Sequence, residues 1–228
     1  MDGINIAEII QRVVIFMPAF ILALVVHEYA HAWMAKRHGD TSSEWAGRLT
    51  FNPAAHIDPL GTIVFPMISV VLGSSIFFGW AKPVPIDPRQ FKNYRKGLFW
   101  VAFAGPISNI ILGFLAAFAL VATAAYVPQT FSFFTPMLEM LKALLQISFA
   151  LAIFNLIPLP PLDGSNMLLA TLSYEATQKF LVIQQYSFFI LIFLMISHTL
   201  EIIGVPILWL CNIAINLAAH VFPLSSAL

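Results

Sequence analysis

The stretch Ile15–Asp40 reads IFMPAFILALVVHEYAHAWMAKRHGD, an apolar run that carries His27, Glu28 and His31 and stops at Lys36-Arg37. Its length decides the fold class. A helix needs about 20 apolar residues to cross a bilayer, and this run reaches from roughly Ile4 to Ala35. Ionisable groups inside such a span are costly and mark function by default, the bland alternative being an interior polar network. Their spacing is specific. Residues four apart share one helix face, one turn above the other, so His27 and His31 can offer two nitrogens to one metal ion. Glu28, beside them, can orient a water and take its proton. That is the mechanical content of H-E-x-x-H: two zinc ligands and a general base.

The rest of the chain agrees with a membrane setting. Of 228 residues, 60% are hydrophobic and 10% charged, where a soluble domain carries about 25% charged residues. The 11 basic and 11 acidic residues balance, which leaves no footprint for nucleic acid. Cys211 is the sole cysteine, so no internal disulfide is open to the chain, and it reads as a small residue buried or facing lipid. The apolar run after Arg12 is too long for a signal-peptide core and lacks a small-residue cleavage site, so it reads as a retained span.

Further apolar runs follow at Ile63–Phe78 (short), Leu98–Tyr126 and Pro136–Phe154. Phe180–Phe222 is long enough for two more spans, with SHTLEIIGVP as the break. The expectation is an all-α polytopic membrane protein of five to six transmembrane helices. Residues 1–174 form the membrane core and 175–228 a C-terminal helical hairpin. Pro18 is expected to kink the first span. Gly47–Asn52 (GRLTFN) and Ala81–Ile86 (AKPVPI) read as small β-like edge elements, since proline in strands is confined to edges. Lys36, Arg37 and Arg48 precede the Ile63–Phe78 run, and Lys82, Arg89, Lys92, Arg95 and Lys96 follow it. The positive-inside rule places both groups in the cytoplasm only if that run enters and returns as a re-entrant hairpin, which Gly61, Pro66 and Gly73 would permit. A straight span remains open beside it.

A catalytic zinc site has three protein ligands and an open position. Glu44, His56, Asp58, Asp87, Asp163, His198, Glu201 and His220 are the candidates for the third. At about 1.5 Å rise per residue, His27 and His31 lie roughly 7 to 14 Å below Lys36, so the partner must reach that depth. Asp163 fits best, because it sits in NLIPLPPLDG, where prolines suit irregular backbone around a cavity. It also reads as the N-cap of a following helix. Asn155 has two readings: it satisfies backbone where a span unwinds, or its amide supports the oxyanion of a tetrahedral intermediate. His56 reads as a loop histidine satisfied by backbone, with a second-sphere or substrate-side role as the alternative. His38, His198 and His220 read as interfacial or packing residues.

The segments HEYAHAWMAKRHGD, GRLTFNPAAHIDPLGT, FGWAKPVPID, FAGPISN and FNLIPLPPLDG occur together over about two thirds of the chain. In this combination the sequence resembles the site-2 protease family of intramembrane zinc metalloproteases. It looks closest to the short prokaryotic group without a PDZ or nucleotide-sensing module. The resemblance implies Zn2+ held by His27, His31 and Asp163, Glu28 as general base, and a substrate-facing Asn155. It further implies a multi-pass protein of the prokaryotic cell membrane, surrounded by membrane lipid. Its active site would lie towards the cytoplasmic side, and its substrate would be a transmembrane protein. An edge strand could hold an unwound substrate segment, with Gly47–Asn52 or Ala81–Ile86 as candidates. A membrane metal-ion transporter and a proteolytically inactive scaffold are the competing classes. A transporter would spread its ligands along a pathway, and a scaffold would not need the intact His-Glu-His-Asp set. Nothing in the sequence sets the oligomeric state.

Overall fold

The apolar run around His27 forms one unbroken helix, α1 (Ile6–His38), with Lys36, Arg37 and His38 in its last turn, where cations suit the helix dipole. Pro18 lies inside α1, which continues through it despite the missing N–H. The computed structural model describes residues 6–71, 79–197 and 202–222. After α1 come a single-turn helix α2 (Ser42–Trp45), a 3-10 turn (Pro53–Ala55), a π-helical turn (Pro59–Val64) and α3 (Phe65–Val71). A second 3-10 turn (Pro88–Gln90) leads into the long α4 (Tyr94–Tyr126). The chain then forms α5 (Phe134–Asn155), α6 (Asp163–Thr171), α7 (Tyr174–Gln184), α8 (Ser187–Ile196) and α9 (Gly204–Val221).

The element ends follow sequence chemistry. The side chains of Asn52, Asp58, Asp87, Asn93 and Ser173 each accept a backbone N–H at the start of the turn or helix that follows, and proline stands next in three of the five cases.

Among the described residues, four helices are long and apolar enough to cross a membrane: α1, α4, α5 and α9. The expected five to six spans are not reached there. Phe180–Ile196 is divided between α7 and α8, and α8 has only 10 residues, half of what a span needs at about 20. The Ile63–Phe78 run is helical over its described part, to Val71; residues 72–78, with Gly73, lie outside the described residues, as do His198 and Glu201. The residues that flank the run on its two sides meet. Trp80 N donates to Gly61 O at 3.1 Å, and Thr62 Oγ1 donates to Trp80 O at 2.8 Å.

Neither predicted edge element is a strand; the described residues contain no β-strand. Gly47–Asn52 is turn and bend. Ala81–Ile86 pairs with no ladder, and four of its six residues have no N–H to spare. Pro83 and Pro85 have none, Lys82 N donates to His56 O, and Val84 N donates to Glu28.

Helix α4 is the central element, packed against α1, α5, α6 and α9. Small residues make this possible: Ala19 and Ala23 of α1, Ala116 and Ala117 of α4, and Ala214 of α9 surround Leu145 and Phe149 of α5. Close approach through small side chains drives helix association where the surroundings are as apolar as the core. The loops at the C-terminal end of α1 and the N-terminal end of α4 are tied together. Asp40, fully buried, accepts from Ser42 N and Asp87 N, both at 2.8 Å, and Lys92 N donates to His38 O. The two basic groups that flank Ile63–Phe78 therefore lie side by side.

Candidate metal centre

The four-residue spacing does what the helix period dictates. The Nε2 atoms of His27 and His31 stand 3.0 Å apart on the buried face of α1. The third atom comes from 132 residues further on: Asp163 Oδ2 lies 3.1 Å from His27 Nε2 and 3.3 Å from His31 Nε2. These three form the one cluster of metal-ligating side chains among the described residues.

Asp163 reaches the site because α5 ends at Asn155 and the proline-rich turn brings the chain back to start α6. Gly164 makes the return tight. A Cβ there would overlap the carbonyl oxygens of Leu156 and Ile157, which are backbone and cannot yield. The N-cap of α6 is Leu162, and Asp163 makes no capping hydrogen bond, so the cap reading does not hold.

Hydrogen bonding on the far side of the rings fixes which nitrogens face inward. His31 Nδ1 lies 2.7 Å from Val101 O. A carbonyl only accepts, so Nδ1 carries the hydrogen and Nε2 presents a lone pair. His27 Nδ1 lies 3.3 Å from Asn109 Nδ2. Asp163 Oδ2 is buried, and the two imidazoles are its neighbours at hydrogen-bond distance, with no other partner among the described residues. His31 Nε2 and Asp163 Oδ2 thus turn lone pairs to one point, and His27 Nε2 joins them when its ring carries the hydrogen on Nδ1, an arrangement that is unfavourable for bare polar groups and favourable around a cation. Tetrahedral zinc with bonds of about 2.0–2.1 Å sets its ligand atoms about 3.3–3.4 Å apart. The observed separations fall within a few tenths of an ångström of that, so the residues fit the metal.

Glu28 sits beside this cluster, partly buried. Its Oε2 accepts from Val84 N at 2.9 Å, which ties the carboxylate to the extended Ala81–Ile86 segment. Asn155, at the last turn of α5, donates from Nδ2 to Leu151 O at 3.0 Å. The other candidates for the third ligand are occupied elsewhere. Glu44 pairs with Lys36, Asp58 caps the π turn and Asp87 caps Pro88–Gln90. His220 lies in the last turn of α9. The guanidinium of Arg89 beside Asp87 holds that carboxyl down at about 2. His56 is buried with Nε2 on Thr50 O, as a backbone-satisfied loop histidine should be, but its Nδ1 has no partner.

Sequence reasoning missed the contribution of α4. Val101, Gly105 and Asn109 lie four residues apart on one face, and all three touch the histidine pair. A Cβ on Gly105 would overlap His31 Nε2 and lie 2.6 Å from His27 Nε2. The available signal was AGPISN itself, a glycine and an asparagine one turn apart in an otherwise apolar helix.

Comparison with known proteins gives this centre a context. The model of peptidase family M50 matches residues 15–197. The chain is 36% identical over 198 residues to "Putative zinc metalloprotease YwhC" of Bacillus subtilis, covering 85% of each chain. It is 29% identical over 188 residues to "Putative zinc metalloprotease Rip2" of Mycolicibacterium smegmatis, covering 82% of this chain and 69% of the relative. The Mycobacterium tuberculosis protein of the same name is 28% identical over 192 residues, with the same coverage. No solved structure matches the chain. With its apolar spans, its converging His-His-Asp set and a match over most of its length, the chain belongs to peptidase family M50, the zinc-dependent site-2 protease family.

Proposed function

We propose that this metalloprotease is an intramembrane endopeptidase that cleaves peptide bonds in or near transmembrane segments of other membrane proteins. Zinc is held by His27, His31 and Asp163, and Glu28 is the general base. The observation that carries the reading is the convergence of three potential ligand atoms within a membrane helix bundle, with no partner for Asp163 Oδ2 among the described residues besides the two imidazoles.

Zinc supplies Lewis acidity at the scissile carbonyl and brings the pKa of a bound water towards about 7. The remaining work belongs to the chain. Val84 N–H fixes Glu28 through Oε2, leaving Oε1 to take a proton from water and return it to the leaving amine. Asn155 donates one amide hydrogen to Leu151 O, and the second is free to meet the substrate carbonyl as charge builds there. The site lies one to two turns below Lys36 and Arg37, and the joining of the two basic loops supports a cytoplasmic placement of that face under the positive-inside rule. On the same reasoning the residues on either side of the Ile63–Phe78 run belong to that face, since Gly61 and Thr62 are bonded to Trp80. Ala81–Ile86 touches the base but has few N–H groups to offer, so substrate strand pairing there would rely on carbonyl acceptors.

The test is Glu28→Gln in purified protein reconstituted with a membrane-embedded substrate. Zinc should remain near one equivalent while cleavage is lost. Unchanged cleavage sinks the mechanism.

A further inference from the structure

The proposed base and ligands leave one polar group inside α4 without a task. Asn109 is fully buried, on a helix whose other inward-facing residues are apolar or small. A buried amide in such a place is expensive unless its groups are bonded. Among the described residues its one hydrogen-bond partner is His27 Nδ1, at 3.3 Å, and its Oδ1 is buried with no donor.

The chemistry of His27 determines how this amide must serve. A neutral imidazole that ligates through Nε2 carries its hydrogen on Nδ1, and that hydrogen needs an acceptor. An amide N–H facing Nδ1 cannot supply one. A half-turn about the last side-chain bond of Asn109 exchanges Oδ1 for Nδ2, and the exchange gives the N–H of His27 an acceptor and the buried Oδ1 a donor. On the other ring the same task is already performed by Val101 O, two helical turns before Asn109. We propose that Asn109 is a positioning residue: its Oδ1 accepts from His27 Nδ1–H, fixes the tautomer that exposes Nε2, and so sets zinc affinity. One face of α4 then holds both imidazoles, with Gly105 between the two contacts providing the room. Partners that bond to the far nitrogen of a ligating histidine typically contribute 10- to 100-fold in metal affinity.

This inference rests on His27 being a ligand, and the experiment separates the two. Zinc affinity is measured by chelator competition on purified wild type, His27→Ala, Asn109→Asp and Asn109→Leu, with d–d absorption of the cobalt-substituted proteins as a second readout. Aspartate keeps the acceptor and removes the amide N–H. Asn109→Asp should therefore bind zinc at least as tightly as wild type and keep the cobalt spectrum, whereas Asn109→Leu should weaken zinc about 10- to 100-fold. Leucine at wild-type affinity overturns the proposal. So does aspartate losing zinc, and that arm decides alone if the leucine variant does not fold. Retention of full zinc affinity by His27→Ala would instead refute the ligand assignment itself.

Discussion

Gly105→Ala puts one methyl group where α4 meets the histidine pair, and the structure gives the size of the disturbance. The new Cβ would stand 2.6 Å from His27 Nε2 and overlap His31 Nε2, whereas ordinary contact begins at 3.4 Å. His27 Nε2 must therefore give way by about 0.8 Å and His31 Nε2 by more, at least four times the ±0.2 Å within which metal–ligand distances must fall. Neither imidazole can simply swing aside, since His31 Nδ1 is bonded to Val101 O on the same helix. Overpacking of a tight site costs about 1–3 kcal/mol, which at 1.4 kcal/mol per decade is roughly a 5- to 150-fold loss of zinc affinity. The natural control is Gly113→Ala, two turns along α4. There the Cβ would crowd Phe149, with its nearest atom at 2.7 Å, away from the metal. Metal content and chelator competition on the two variants give the answer. Gly105→Ala should lose zinc with a modest change in melting temperature, and Gly113→Ala should melt earlier but keep its zinc. Wild-type zinc affinity in Gly105→Ala would refute the placement of α4 against the ligand atoms.

Other outcomes follow from the same geometry. Asp163→Ala removes a ligand without touching a cap, so zinc content should fall sharply at nearly unchanged helicity; metal analysis beside circular dichroism checks both. Asp40→Asn leaves one of two buried backbone N–H groups facing an amide N–H instead of a carboxylate oxygen. It should lower stability by about 1–3 kcal/mol, read as an earlier thermal transition with zinc still bound. Removing zinc with a chelator should lower the melting temperature reversibly. Zinc at 1,000 times its dissociation constant stabilises by about 4 kcal/mol, and re-addition should restore the loss in Glu28→Gln as fully as in wild type.

The parts of this molecule that were legible in the sequence are those governed by local periodicity. His27 and His31 fall on one face because the helix repeat puts them there, and α1, α4 and α5 follow from apolar length alone. Asp163 was legible as a candidate but not as a decision, because cap and ligand readings use the same residue types. The path of the turn after α5, with Gly164 pressed on two carbonyls, brings the Asp163 carboxylate beside the two imidazoles. The edge strands failed for a countable reason. Alternation in AKPVPI suggested pairing, but pairing needs N–H groups, and the fold had assigned Lys82 and Val84 to His56 and Glu28. The role of α4 was hidden because Val101 acts through its carbonyl and Gly105 through the absence of a side chain. Neither leaves a mark in composition.

Charge explains why so many polar groups are gathered at one depth instead of being spread over the bundle. An ion in a low-dielectric interior is tolerated when counter-charges and hydrogen bonds surround it. With zinc bound as proposed, the ion and an ionised Asp163 would carry one positive charge, which an ionised Glu28 beside His27 would cancel. The two imidazoles stay neutral while their Nδ1 hydrogens are accepted by α4. Any single member removed leaves the others exposed to the full desolvation cost, so binding and folding are coupled through the centre. This coupling makes a clear demand on Glu28. If its charge contributes to the neutral set, Glu28→Gln should bind zinc somewhat more weakly than wild type while Glu28→Asp binds it equally well. If the carboxylate serves proton transfer alone, the three proteins should bind zinc alike and differ only in turnover.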